Sequence, residues 1–176
     1  MDVTIKNNYY MQYYDLGKIL NDQECYFLKN EIINEERIGK FLPEVDSKYY
    51  NNSVGGVNTT SWYLLNRFLQ LATDISGKPL RIANPYTRVY KKDSILAPHI
   101  DRIGLDWTIS VCIFTNISYD WPLKIKNIDG NVINSSTLTG YASLVNGREL
   151  EHWRDPLECD ESEMVIQTFL HYTEIK

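Results

Sequence analysis

Apolar positions in the first half of the chain recur at helical spacing, and those in the second half alternate. In "LNDQECYFLKNEII", Asn21 is followed three residues later by Glu24, the pattern of a capping box. Cys25, Leu28 and Ile32 then fall at i, i+3 and i+7, on one face of a helix. In "TTSWYLLNRFLQLATDISG", Thr60 is placed to cap a second helix. Leu65, Phe68, Leu69 and Ala72 form its apolar stripe, and Gly77 closes it. The stretch between them, "KYYNNSVGGVNTT", reads as a loop rich in Asn and Gly.

From Leu80 onwards the pattern predicts strands at Leu80–Ala83, Thr87–Tyr90, Ala97–Asp101 and Trp107–Phe114. Four more follow at Pro122–Lys126, Tyr141–Val145, Glu149–Trp153 and Val165–Tyr172. "NIDGN" supplies an Asp-Gly turn and "VNGRE" an Asn-Gly turn, both typical of hairpins. Helices followed by a run of short strands predict an α+β, mainly β protein built as a barrel or jelly roll. No repeat, linker or composition break divides residues 1–176, so a single domain is expected.

Composition narrows the function classes. The hydrophobic fraction of 43% and charged fraction of 23% are those of an ordinary globular protein. No apolar run approaches the roughly 18 residues of a membrane span. The polar start "MDVTIKNNYY" carries neither an apolar signal core nor a transit pattern. Cys25, Cys112 and Cys159 lie far apart without a CxxC, which predicts free thiols and a cytoplasmic setting. Net charge is −5, and no basic cluster exceeds the pair Lys91–Lys92, which speaks against a nucleic-acid partner. The 13 tyrosines follow the general abundance of Asn, Ile, Lys and Tyr rather than marking a stacking surface.

The candidate chemistry sits in "APHIDRIG". His99 and Asp101 are spaced i, i+2, so on a strand both side chains leave one face. A lone His-x-Asp is a weak signal, and most such pairs are ordinary polar residues. A further His from another strand makes it much more specific. Of the two remaining histidines, His171 lies on the expected last strand, whereas His152 in "ELEHWRDPL" leaves one strand after it to close the sheet. Two histidines and one carboxylate form the facial triad of non-haem Fe(II) oxygenases, with open positions for cosubstrate and O2.

From about Leu16 to Tyr172 the chain resembles the small prolyl-4-hydroxylase-like branch of the Fe(II)/2-oxoglutarate-dependent dioxygenases. The resemblance is carried by "YTRVYKKDSILAPHID", "WTISVCIF", "DWPLKI" and "GRELEHWRDPL…QTFLHY", with Pro156 completing a His-x-x-x-Pro pattern. It implies a double-stranded β-helix with supporting N-terminal helices, and iron held by His99, Asp101 and His152. It also implies hydroxylation of a C–H bond, coupled to conversion of 2-oxoglutarate and O2 to succinate and CO2. Asp101 stands where the related radical halogenases carry Gly or Ala, which disfavours halogenation.

The family's cosubstrate needs a cation for its C5 carboxylate, usually a lysine on the last strand, and "MVIQTFLHY" has neither Lys nor Arg. Arg154, at His152+2, is the expected replacement; its alternative is a surface ion pair with Asp155. Tyr90 matches a tyrosine that contacts the cosubstrate in the family, against a plain barrel-filling role for Tyr86 and Tyr90. Gln167 and Thr168 alternate on the last strand, so one of them faces the cosubstrate. Arg88 at the barrel mouth, Arg102 as anchor for an acidic group and Trp121 as a wall residue are the substrate-side candidates. The expected substrate is an amino-acid-like small molecule or a peptide residue, with the Asn/Gly-rich loop as a lid in the second case. The alternatives are the same machinery performing desaturation or another oxidation, or a catalytically silent jelly-roll binding protein.

Overall fold

The computed structural model describes residues 12–43, 49–50 and 52–176. Residues 1–11, which carry the N-terminal expectation and part of the tyrosine cluster, lie outside the described residues, as do Lys48 and Asn51 of the expected loop. In chain order the first elements are β1 (Tyr13–Lys18), α1 (Asp22–Arg37), β2 (Leu42–Pro43), β3 (Tyr49–Tyr50), β4 (Val54–Gly56), α2 (Thr59–Arg67) and α3 (Leu69–Ser76). The remainder is strand: β5 (Leu80–Tyr90), β6 (Ile95–His99), β7 (Trp107–Thr115), β8 (Leu123–Lys126), β9 (Val132–Ser135), β10 (Tyr141–Val145), β11 (His152–Arg154) and β12 (Val165–Glu174). No described helix is long and apolar enough to cross a membrane.

The capping box forms as its spacing predicts. Asn21 Oδ1 accepts from Glu24 N, and Asn21 N donates to Glu24 Oε2, both at 2.9 Å. Each helix start leaves backbone donors unpaired, and this exchange satisfies two of them. The second helix differs from expectation. It breaks at Phe68, whose φ of −99° and ψ of 5° divide α2 from α3. Asn58, rather than Thr60, caps α2 by accepting from Ser61 N at 2.9 Å. Gly77 closes α3 with φ of 66°, a left-handed conformation that costs glycine little.

Two antiparallel sheets form the jelly roll. The major sheet has the order β1-β10-β7-β12-β5-β4-β2, and the minor sheet β3-β6-β11-β8-β9. Alternation gives the major sheet two different faces. Val89, Ile109, Val111, Ile113, Ile166 and Leu170 pack with Ile32, Leu64, Leu65, Phe68 and Ala72 of the helices into one core. The opposite face presents Arg88, Ser110 and Phe169 to a cavity whose other side is the minor sheet's Leu96, Leu123, His99 and His152.

Several strand boundaries differ from the sequence pattern for local reasons. Leu80–Tyr90 is one strand running through Pro85, because β4 flanks only Thr87–Val89 while β12 supplies the partner at Leu170. A proline, lacking its N–H, is tolerated where one edge is left open. The alternation does not predict β1, β2 or β9, and the expected loop instead carries the short strands β3 and β4; β9 is largely exposed. "NIDGN" does make the hairpin between β8 and β9, with Asn127 N donating to Asn131 O and Gly130 at φ of 83°. "VNGRE" does not make a hairpin. Glu149 N and Leu150 N both donate to Asn146 O, and this tight turn carries the chain from β10 in one sheet to β11 in the other.

Candidate metal centre and its cavity

His99 ends β6 and His152 begins β11, and the two are direct partners across the antiparallel ladder. Their rings stand 4.3 Å apart at 52°. Each Nδ1 lies 2.9 Å from the carbonyl oxygen two residues before it, Ala97 for His99 and Leu150 for His152. A carbonyl only accepts, so each Nδ1 carries the proton and each Nε2 keeps its lone pair for a metal.

Asp101 lies in the loop just past β6, so strand alternation alone does not aim it. Asp101 N donates to Gly147 O at 2.7 Å, and Arg148 Nη1 donates to Asp101 O at 2.9 Å. Thr108 Oγ1 donates to Asp101 Oδ2 at 3.1 Å, which leaves Oδ1 as the remaining oxygen. That Oδ1 is 3.9 Å from each histidine Nε2. One ligand atom from each of His99, Asp101 and His152 lies within 4.8 Å of the others. Two neutral imidazoles and a single carboxylate are the donor set of a non-haem Fe(II) centre, and the three residues fit that ion.

The triad opens on a cavity of about 290 Å³. Tyr86, Arg88, Arg102, Thr108, Phe169 and His171 are among its walls. Tyr86 packs against Gly55, where an added Cβ would come within 2.5 Å of its ring. Arg88 is buried, donates to Ser53 Oγ at 3.3 Å and sits 5.2 Å from the Tyr86 ring. Arg102 is exposed on the loop after Asp101.

Arg154 is buried to 2% exposure but does not line this cavity. Its Nη1 donates to Trp121 O at 2.6 Å and Thr137 Oγ1 at 2.7 Å, and its guanidinium packs 4.8 Å from the Trp121 ring. Tyr90 packs edge-on against the same Trp121 at 5.0 Å. The surface alternative for Arg154 is excluded, because Asp155 is engaged by Lys124 at 2.5 Å. Among the described residues no carboxylate pairs with Arg154, and its Nε is buried without a hydrogen-bond partner. Burial pushes its pKa down, yet an arginine so placed stays charged.

The last strand resolves in favour of one of its two candidates. Gln167 belongs to the cavity-side face, where Ser110 Oγ donates to its Oε1 at 3.3 Å. Thr168 is corrected: it points to the helix side, bonded to Thr87 Oγ1 at 3.0 Å, and is out of reach of anything in the cavity. Trp121 walls the Arg154 compartment rather than the cavity. Thr108, Gly147, Arg148 and His171 were missed. Gly147 and Arg148 lie in "VNGRE", whose Asn-Gly pair reads as a hairpin turn, and His171 was weighed only as a metal ligand.

No family model and no curated protein sequence matches the chain. Solved structures do match in fold. HygX from Streptomyces hygroscopicus, with nickel, 2-oxoglutarate and hygromycin B bound, shares 15% identity over 94% of this chain and 84% of its own, at a TM-score of 0.69. A prolyl hydroxylase from Trichoplax adhaerens, in complex with a hypoxia inducible factor peptide fragment, shares 12% over 93% and 84%, at 0.75. The alpha-ketoglutarate-dependent epimerase SnoN from nogalamycin biosynthesis shares 13% over 94% and 78%, at 0.75. The chain therefore has the jelly-roll fold of the prolyl hydroxylases and their 2-oxoglutarate-dependent structural neighbours.

Proposed function

We propose that the protein is a cytoplasmic Fe(II)- and 2-oxoglutarate-dependent hydroxylase of an amino-acid-like small molecule or a peptide residue. The observation that carries this reading is the convergence of His99 Nε2, His152 Nε2 and Asp101 Oδ1 at one side of a cavity. Each of the three has its other polar atom held by the protein. With iron, 2-oxoglutarate and O2 bound, the centre would supply oxidation of a C–H bond coupled to decarboxylation of the cosubstrate. The three free thiols support the cytoplasmic setting.

The residues divide the remaining work. Arg154, two residues past the metal ligand His152 but behind Trp121 and outside the cavity as it stands, is the cation assigned to the far carboxylate of 2-oxoglutarate, with Thr137 and Tyr90 beside it. A buried guanidinium held by neutral oxygens, with one N–H unpaired, is completed by an anion. Gln167 lies on the cavity-side face between Ser110 and Arg88 and offers the cosubstrate its amide. Tyr86, Phe169 and Leu105 exclude water from the reacting carbon.

Anaerobic addition of Fe(II) and 2-oxoglutarate is expected to produce a weak visible charge-transfer band. His152→Ala should abolish it. Arg154→Ala should raise the half-saturating 2-oxoglutarate concentration by about tenfold or more with metal affinity unchanged, as loss of a charged hydrogen-bond partner entails. No band in folded, iron-loaded protein would leave the catalytically silent alternative standing. The likeness to an epimerase keeps a second outcome in view. Product mass separates them: hydroxylation adds one oxygen, desaturation removes two hydrogens, and epimerisation changes neither.

A further inference from the structure

The third histidine has a place in the cavity that the metal does not use. His171 stands on β12 directly opposite Thr108 of β7, the residue that holds Asp101 Oδ2. Its ring lines the cavity, yet it belongs to no metal-ligand group with the triad. Nδ1 lies 2.8 Å from Asn84 O. Because that carbonyl only accepts, Nδ1 carries the proton and Nε2 keeps a lone pair, with no partner among the described residues. Phe169, two residues earlier on the same face, stacks beside the ring at 6.4 Å and 28°. Burial, the largest influence on this group, holds its pKa below the ordinary histidine value.

The charge around it points to a ligand class. Asp101 is the single acid among the described residues lining the cavity, and its carboxylate belongs to the candidate metal centre. Arg102 lines the same cavity from the loop beside it, at the open rim, and Arg88 lines it from β5, buried against Ser53 and Tyr86. A fixed neutral acceptor on one wall and a cation at the rim are complementary to a molecule carrying a donor and an anion. A core-filling histidine would have its second nitrogen sealed in protein, which this one does not.

We infer that His171 is a specificity-determining residue whose Nε2 accepts a hydrogen bond from a hydroxyl or amine of a small carboxylate substrate, with Arg102 receiving the carboxylate. This rests on the oxygenase reading and adds the substrate class to it. A site built to bond a donor discriminates against analogues lacking one, because the acceptor is then left unpaired.

Matched triplets of an L-2-amino acid, the 2-hydroxy acid and the desamino acid of the same skeleton, drawn from several skeletons, serve as probes. Succinate release by the iron-loaded enzyme is the readout. Wild type should turn over with a donor-bearing member at least about tenfold faster than with its desamino partner. His171→Leu should bring that ratio to within about twofold of unity, and His171→Gln, which retains an acceptor, should restore part of it. The 2-oxoglutarate charge-transfer band should be unchanged in both variants. An unaltered ratio in His171→Leu overturns the assignment, and so does a panel in which no member raises succinate release while the band is present. Absence of the band in wild type overturns the oxygenase reading itself, and is thereby distinguishable.

Discussion

A methyl group at position 147 would overlap Asp101 Oδ2, so this carboxylate of the candidate metal centre keeps its place only against a glycine. Gly147 O accepts from Asp101 N, so the two backbones are already in contact and neither side can retreat cheaply. Gly147→Ala should displace the carboxylate and weaken metal binding by about tenfold or more, a few RT of lost ligand contact. Calorimetric titration with Co(II) checks it, and circular dichroism should show the fold retained. Unchanged affinity would mean that the loop gives way instead. The triad itself was legible because histidine is scarce and both His99 and His152 fall in strand-like segments. What closes around it was not. Nothing local in "VNGRE" says that Gly147 faces Asp101, a partner far away in the chain. Gln167 and Thr168 needed the phase of β12, which is set by Ile166 and Leu170 packing against helices rather than by the strand alone.

Two helix caps of the same chemistry carry different loads at the level of elements. Asn21 caps α1 at the surface, exchanging bonds with Glu24 alone. Asn58 caps α2 in the interior, and its Nδ2 also donates to the buried Glu35 of α1 at 2.7 Å. Lys40, itself exposed, pairs with the other oxygen of Glu35 at 3.1 Å, so the cap is one corner of a partly buried network joining the two helices. Asn21→Ala should cost about 1 kcal/mol, the usual loss of a surface cap. Asn58→Ala should cost about 2 kcal/mol, because the cap and a charge-assisted bond go together. Urea denaturation separates the two cases, and equal losses would show that the Glu35 contact contributes nothing. Asn21 is readable from its capping box, whereas at α2 Asn58, Thr59 and Thr60 follow in succession and nothing local singles out Asn58. The break at Phe68 was equally hidden. Its stripe of Leu65, Phe68, Leu69 and Ala72 suits one helix as well as two, and both pieces pack against β5.

Across the whole molecule, alternation revealed that there would be many strands but not how they pair. The order β1-β10-β7-β12-β5 joins segments distant in sequence, and a period of two names no partner. That topology has a thermodynamic consequence. The minor sheet is made of short strands, and His99 and His152 pair across the middle of it, while Asp101 is tied to the β10–β11 turn. A metal held by these three residues fastens β6, β11 and that turn to one another, and it binds only when they are assembled. By linkage, metal present at about a hundred times its dissociation constant should add roughly 2.7 kcal/mol to stability, and 2-oxoglutarate at the same ratio about as much again. For a domain of this size each step is a rise in Tm of about 5–10 °C. Differential scanning calorimetry with Co(II) and 2-oxoglutarate, before and after EDTA, measures it. His152→Ala should flatten the response, because two ligands on one strand end no longer reach across the sheet. A rise of equal size in His152→Ala would place the ion elsewhere and remove the triad from the argument.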